Sequence, residues 1–228
     1  MLNTCQAGHQ SHESKLLETD YGPYWIWDWP RYMDFPNYCT GQDEVSKSID
    51  VNGYWERADT DWVLDILEPG LVLDFGSHIG WFAALATRKG CQVVAVDADP
   101  QNMTLLRKNF DLIKRGELRT WTGWVADIKG AVPTAPIKLL KADVEGHERE
   151  VIDLTRHLWR NKMIDYALIE VSPIFENREN IMAPSYADLV DELIDYGYRA
   201  TVHKDDGPWD ITGADCTFPQ ENVRFERL

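Results

Sequence analysis

From residue 71 onwards the chain alternates between short apolar runs and amphipathic segments, and this alternation narrows the possible folds more than any other feature. "LVLDF" (71–75), "QVVAVD" (92–97), "LRTWTGWVA" (118–126), "IKLLKADV" (137–144) and "DYALIEVS" (165–172) read as strands. Between them, "WFAALATRKG" (81–90), "PQNMTLLRKNFDLIKRG" (100–116) and "EREVIDLTRHLWRN" (148–161) read as helices. Asp99 suits the N-cap of the second helix, with Pro100 at its first position. "SYADLVDELIDYG" (185–197) is a further helix, capped by Ser185 and stopped by Gly197. "YRATVHK" (198–204) and "ENVRFERL" (221–228) close the chain as strands. Strands that are apolar on both faces belong inside a parallel sheet covered by helices on both sides. The last two strands have no helix between them, which predicts an antiparallel edge. The expectation is an α/β, doubly wound, mainly parallel seven-stranded sheet with that edge at its C-terminal end.

Upstream, "TDWVLDILEPG" (60–70) carries apolar residues at helical spacing and stops at Pro-Gly. Residues 1–20 are polar, and residues 21–38 are crowded with aromatics. Three prolines there rule out a long regular element. Residues 1–58 therefore read as an N-terminal extension that could cover a substrate, and 59–228 as the main domain. With 38 acidic against 23 basic residues the net charge is −15, so the surface repels phosphate backbones, and no Lys/Arg cluster offsets this. No nucleic-acid partner is expected. The four cysteines form no C-x-x-C pair and read as reduced thiols. No signal peptide or membrane segment is apparent, so a cytoplasmic protein with no membrane partner is expected.

The string "DFGSHIG" (74–80) joins the first parallel strand to its helix, at the strand end where doubly wound sheets bind ligands. Gly76 and Gly80 let backbone come close to a neighbour, with Ser77 and His78 between them. A dinucleotide fingerprint would need glycine where His78 and Trp81 stand, and no phosphate-loop string occurs. Asp74 adds negative charge where a phosphate site would avoid it, which favours a cationic ligand. Asp97, followed by Ala98, ends the second strand and suits both hydroxyls of a ribose. Asp127, preceded by Ala126, follows the third strand and suits an exocyclic adenine amine. Glycine turn, ribose acid and adenine acid in this order describe an adenosine cofactor without phosphates. "VLDFGSHIGWF" and "VVAVDADP" resemble the first two motifs of class I S-adenosylmethionine-dependent methyltransferases.

"KADVEGHERE" (141–150) places Asp143, Glu145 and His147 at one strand end, with Gly146 as a turn residue. The string is similar to the "K-I-D-V-E-G-x-E" signature of FkbM-type methyltransferases, and "ADIKG" and "NVRF" also fit that family over about residues 70–228. The resemblance implies a Rossmann-like methyltransferase fold. It also implies S-adenosyl-L-methionine as cofactor and methyl transfer to a hydroxyl of a sugar or other small, in some cases glycosylated, acceptor. An alcohol is a poor nucleophile, so a base or a metal is needed. Glu145 and His147 are the base candidates, and Asp143 is a candidate for catalysis, for holding the cofactor's amino group or for binding metal. Related sugar methyltransferases hold Mg²⁺ with a carboxylate at this strand end and two adjacent acids near the end of the next strand. Here Glu170 is the second candidate ligand, but its neighbour is Val171. "EVSP" (170–173) is not the (N/D)-P-P-(Y/F) motif of enzymes that methylate base amines. N-methylation of an amine, a non-catalytic cofactor-binding module and an NAD-linked oxidoreductase are the competing readings.

Overall fold

The computed structural model describes residues 14–28, 43–113, 115–128, 132–171, 186–204, 207–211 and 221–228. The chain divides into two compact units, Met1–Arg57 and Ala58–Leu228. In the first, β1 (Ser14–Thr19) and β2 (Gly22–Trp27) form an antiparallel hairpin followed by α1 (Glu44–Asn52). The sequence did not announce this hairpin, because its leading strand is polar and its second holds Pro23. A two-stranded ribbon leaves each strand one free edge, which tolerates a proline. The Ser46 hydroxyl ties α1 to the hairpin: it accepts from the Trp27 amide at 3.1 Å and donates to Asp43 at 2.5 Å. The Arg57 guanidinium pairs with Asp20 at 3.0 Å and lies over the Tyr21 and Tyr54 rings. The aromatics of 29–38, the Ser185 cap and three cysteines (Cys5, Cys39 and Cys216) lie outside the described residues.

The second unit carries α2 (Arg57–Ile66), β3 (Leu71–Phe75), α3 (Trp81–Arg88), β4 (Gln92–Asp97), α4 (Pro100–Ile113) and β5 (Glu117–Thr122). It continues with β6 (Ile137–Ala142), α5 (Glu148–Arg160), β7 (Ile164–Val171), α6 (Tyr186–Asp195), β8 (Tyr198–Lys204), β9 (Gly207–Asp210) and β10 (Glu221–Arg227). One sheet runs in the order β5-β4-β3-β6-β7-β10-β8-β9. β5 through β7 are parallel, and β10 is antiparallel to both its neighbours.

Seven of these strands are those expected, with small shifts. The antiparallel C-terminal edge is present, with β10 between β7 and β8. The rim is β9, an eighth strand that the sequence reading left unassigned; its "GPWD" adds to the edge opposite β8, where a proline costs no interior ladder bond. The third strand ends at Thr122, not Ala126. β4 offers no partner beyond Asp97, and the Gly123 amide instead donates to the Asp97 carbonyl at 3.0 Å. The chain then makes a 3-10 turn, Val125–Asp127. Asp99 caps α4 as expected, its carboxylate accepting from the Gln101 amide at 2.7 Å.

The core runs along the sheet from β3 and β6 to α5 and the antiparallel strands. Trp159 is fully buried and packs edge-on against Tyr198 and Phe225, with ring centroids 4.9 and 6.2 Å away. Its indole N–H donates to Thr155 at 2.9 Å, so no polar atom is stranded. α2 is fixed to β10 by a buried ion pair: Asp59 accepts from Arg224 at 2.8 Å and from Asn222 at 3.0 Å, and Arg224 also lies over the Trp62 ring. Removing one partner leaves the other charge buried. Asp59→Ala is expected to cost about 3–5 kcal/mol, read from urea unfolding. A loss under about 1 kcal/mol would mean that water replaces the carboxylate.

Candidate active site

Both neighbours of β3 in the sheet, β4 and β6, are parallel to it, and the chain leaves toward them in opposite directions. Such a reversal opens a crevice at the carboxyl ends of the strands. The residues there form one connected set. The turn after β3 hangs on the Val96 carbonyl, which accepts from the Gly76 and Ser77 amides at 2.9 Å each and from the Ser77 hydroxyl at 3.1 Å. Asp97 completes the turn: one carboxylate oxygen accepts from the His78 amide at 2.7 Å and the other from the Asp99 amide at 2.8 Å. Each oxygen keeps a second lone pair for a ligand hydroxyl. Ala98 follows in the bend before α4.

Both glycines are needed by the protein's own packing. A Cβ at Gly76 would stand 1.6 Å from the Asp143 carbonyl oxygen, and one at Gly80 would stand 2.6 Å from the Leu106 side chain. Both residues have positive φ, +71° and +87°. On the side where a Cβ would stand, the close approach is made by the end of β6 at Gly76 and by α4 at Gly80.

Asp74 is 1% exposed, and neither carboxylate oxygen has a hydrogen-bond partner of normal geometry among the described residues. Burial raises its pKa to about 6, the charges of Asp143 and Asp97 push the same way, and Lys141 and the nearby Ala83 amide only partly offset them. Lys141 is the residue that sequence reading passed over. Its ammonium, on a side chain 7% exposed, donates to the Gly76 carbonyl at 3.1 Å and to Asp143 at 3.0 Å. The signal was there: a lysine inside an apolar strand. Burial alone would raise the pKa of Asp143, but Lys141, a hydrogen bond from Glu170 and the charge of His78 hold it below the usual range.

Beyond β6 the chain turns through Glu145 at φ +53° and Gly146 at +96°. Glu148, fully buried at the start of α5, accepts from the Val144 amide at 3.2 Å and the Gly146 amide at 3.1 Å, and so fixes this turn. Its role was also missed, although an acid at a helix start is a recognisable signal. Although Glu145 counts as exposed, packing around its carboxyl raises its pKa, and Asp143 and Glu148 add to the shift. His147 is placed apart from this set. It is the N-cap of α5, and its ring pairs with Glu150 at 3.1 Å and lies 5.6 Å from the exposed Trp124 indole. Ala126 and Asp127 are exposed in the 3-10 turn past β5.

The structure thus joins Asp97 to the Gly76 turn through backbone bonds and Asp143 to it through Lys141, with Asp74 beside Lys141 in strand register and Glu170 hydrogen-bonded to Asp143. It does not join His147. Among the described residues no three His, Cys, Asp or Glu side chains gather as metal donors. Asp143 faces an ammonium where a divalent cation would stand, so this donor set does not fit Mg²⁺. No helix among the described residues is long and apolar enough to cross a membrane.

No protein-family model and no curated protein matches the chain. Solved structures match its fold. A Streptococcus mutans protein assigned as a methyltransferase and solved with SAH superposes with a TM-score of 0.54 at 13% identity, over 75% of this chain and 97% of that one. Magnesium protoporphyrin IX methyltransferase from Synechocystis PCC 6803, solved with bound SAM, gives 0.51 at 18% identity over 84% and 88%. A TehB-like SAM-dependent methyltransferase from Corynebacterium glutamicum gives 0.51 at 14% over 80% and 94%. The chain has the Rossmann-like fold of the class I S-adenosylmethionine-dependent methyltransferases.

Proposed function

We propose that this protein transfers a methyl group from S-adenosylmethionine to a hydroxyl oxygen of a sugar or another small acceptor, as an FkbM-type enzyme. The observation that carries the reading is Asp74: a buried carboxylate whose oxygens have no hydrogen-bond partner of normal geometry among the described residues, at strand ends where further acids gather. A crevice of this kind favours a cationic adenosyl ligand over an anionic nucleotide. Asp97 would hold the ribose hydroxyls. The Ala126–Asp127 turn would hold the adenine, and Asp74 or Asp143 the ammonium. When bound, S-adenosylmethionine supplies an electrophilic methyl group on a sulfonium.

The chain's own residues do the rest. Glu145 accepts the acceptor's hydroxyl proton on its carboxylate, and its raised pKa moves it toward the operating pH, as suits a general base. Asp143, held ionised beside Lys141, is the poorer base and serves for binding. The ring of His147 is engaged with Glu150 rather than with Asp143 or Glu145, so Glu145 is the base in this reading.

Calorimetry with S-adenosylmethionine and S-adenosylhomocysteine tests the reading. Micromolar binding of both supports it, and absence of heat with either compound removes it. Glu145→Gln is expected to lower methyl transfer by about a hundredfold or more while leaving cofactor affinity unchanged. This is measured as release of S-adenosylhomocysteine against a panel of hydroxylated acceptors. Near-full turnover in that variant would point to an amine acceptor, which needs less help from a base.

A further inference from the structure

We propose that Lys141 is the built-in cation of the strand-end acids, a positioning residue that does here what Mg²⁺ does in the sugar methyltransferases that hold a metal at this strand end. Lys141 sits in the sheet interior, with Asp74 opposite it on β3 and Leu168 opposite it on β7. Interior parallel strands are ordinarily apolar on both faces, and a buried ammonium is costly unless well compensated. The compensation is visible on every side. There is a carbonyl from the Gly76 turn at 3.1 Å, the Asp143 carboxylate at 3.0 Å, the Phe82 ring face at 5.6 Å and the field of Asp74. Asp74 and Asp143 would repel one another as carboxylates without a positive charge between them. An ammonium on a tether from β6 provides that charge without dissociating. It also joins the turn after β3 to the loop after β6, so the two halves of the crevice keep one geometry. Divalent metal is then superfluous at this site. The consequence for methyl transfer rests on the function proposed above; the assignment of the cation does not.

The test is thermal unfolding of the wild type, Lys141→Ala and Lys141→Arg in millimolar MgCl₂ or in NaCl of matched ionic strength. It is run with calorimetry of S-adenosylmethionine in EDTA. The wild type and Lys141→Arg are expected to melt at the same temperature in both salts. Lys141→Ala is expected to melt lower, to regain part of the loss in Mg²⁺, and to bind S-adenosylmethionine about tenfold or more weakly in EDTA. A Mg²⁺-dependent rise in the wild type overturns the proposal, as does a folded Lys141→Ala that ignores Mg²⁺ or keeps full affinity. If Lys141→Ala does not fold, the wild-type response to Mg²⁺ decides alone. Cofactor binding that needs Mg²⁺ also counts against it. Failure of the wild type to bind the cofactor in any salt removes the methyltransferase reading and leaves the melting result to judge Lys141.

Discussion

Gly76→Ala is expected to keep most of the protein from reaching its native state. The new methyl carbon would overlap the Asp143 carbonyl oxygen at 1.6 Å and its carbon at 2.6 Å, and main chain at the end of a buried strand has no rotamer through which to yield. The φ of +71° adds about 1–2 kcal/mol of left-handed strain. Together these place the cost at about 4–5 kcal/mol or more, a large part of a typical domain's total stability. Gly53→Ala is the control: φ there is +82°, but the nearest atom is a side-chain oxygen at 3.5 Å. Only the smaller strain applies to it. Soluble yield and urea melts of the two variants separate the effects. Equal losses would show that the contact between the β3 turn and the end of β6 relaxes freely.

The second large effect concerns Asp74. Its folded pKa is about 6 against an ordinary 3.8, so the folded state favours the protonated acid. A raised carboxyl pKa leaves stability intact below about pH 4. Stability is lost as pH climbs from 4 through 6, by about 3 kcal/mol in all at about 1.4 kcal/mol per pKa unit. Asp74→Asn removes the titrating charge. Without ligand, the variant is expected to match the wild type at pH 4 and to exceed it by about 2–3 kcal/mol at pH 7.5, measured by urea unfolding at both pH values. The same variant is expected to bind S-adenosylmethionine about ten- to a hundredfold more weakly at pH 7.5, because a charge-assisted contact is gone. Wild-type affinity should fall as the pH drops below 6. A stability gap that does not change with pH would mean that Asp74 is solvated in the free protein.

Much of this architecture was legible in the sequence. β3, β4 and β8 begin and end where the apolar runs do, since an unbroken β-branched or aliphatic run bounded by glycine or acid has few other options. β1, β2 and β9 were not legible, because short edge strands carry polar residues and prolines that read equally well as turns. In the crevice, the residue types at 74, 97 and 143 announced carboxylates at strand ends, and register brought them together. The partners of those acids could not be read. That the Gly76 turn makes room for backbone, that Lys141 bridges it to Asp143, and that Glu148 fixes the Glu145 turn all depend on distances between segments far apart in sequence. The place of His147 in the motif suggested chemistry, and its ring contacts, Glu150 and Trp124, could not be read from sequence either.

The position of β10 carries a consequence for biosynthesis. This strand pairs with β7 on one side and β8 on the other, yet it follows both along the chain. It also supplies Arg224 and Asn222 to Asp59, near the unit's beginning. While a ribosome is still making residues 221–227, β7 has an open edge, β8 has only β9 beside it, and the Asp59 charge lacks its counterpart. The growing polypeptide therefore passes through a stage with unprotected strand borders, and β7 and β8 are bridged only when the segment made after both slides into the gap.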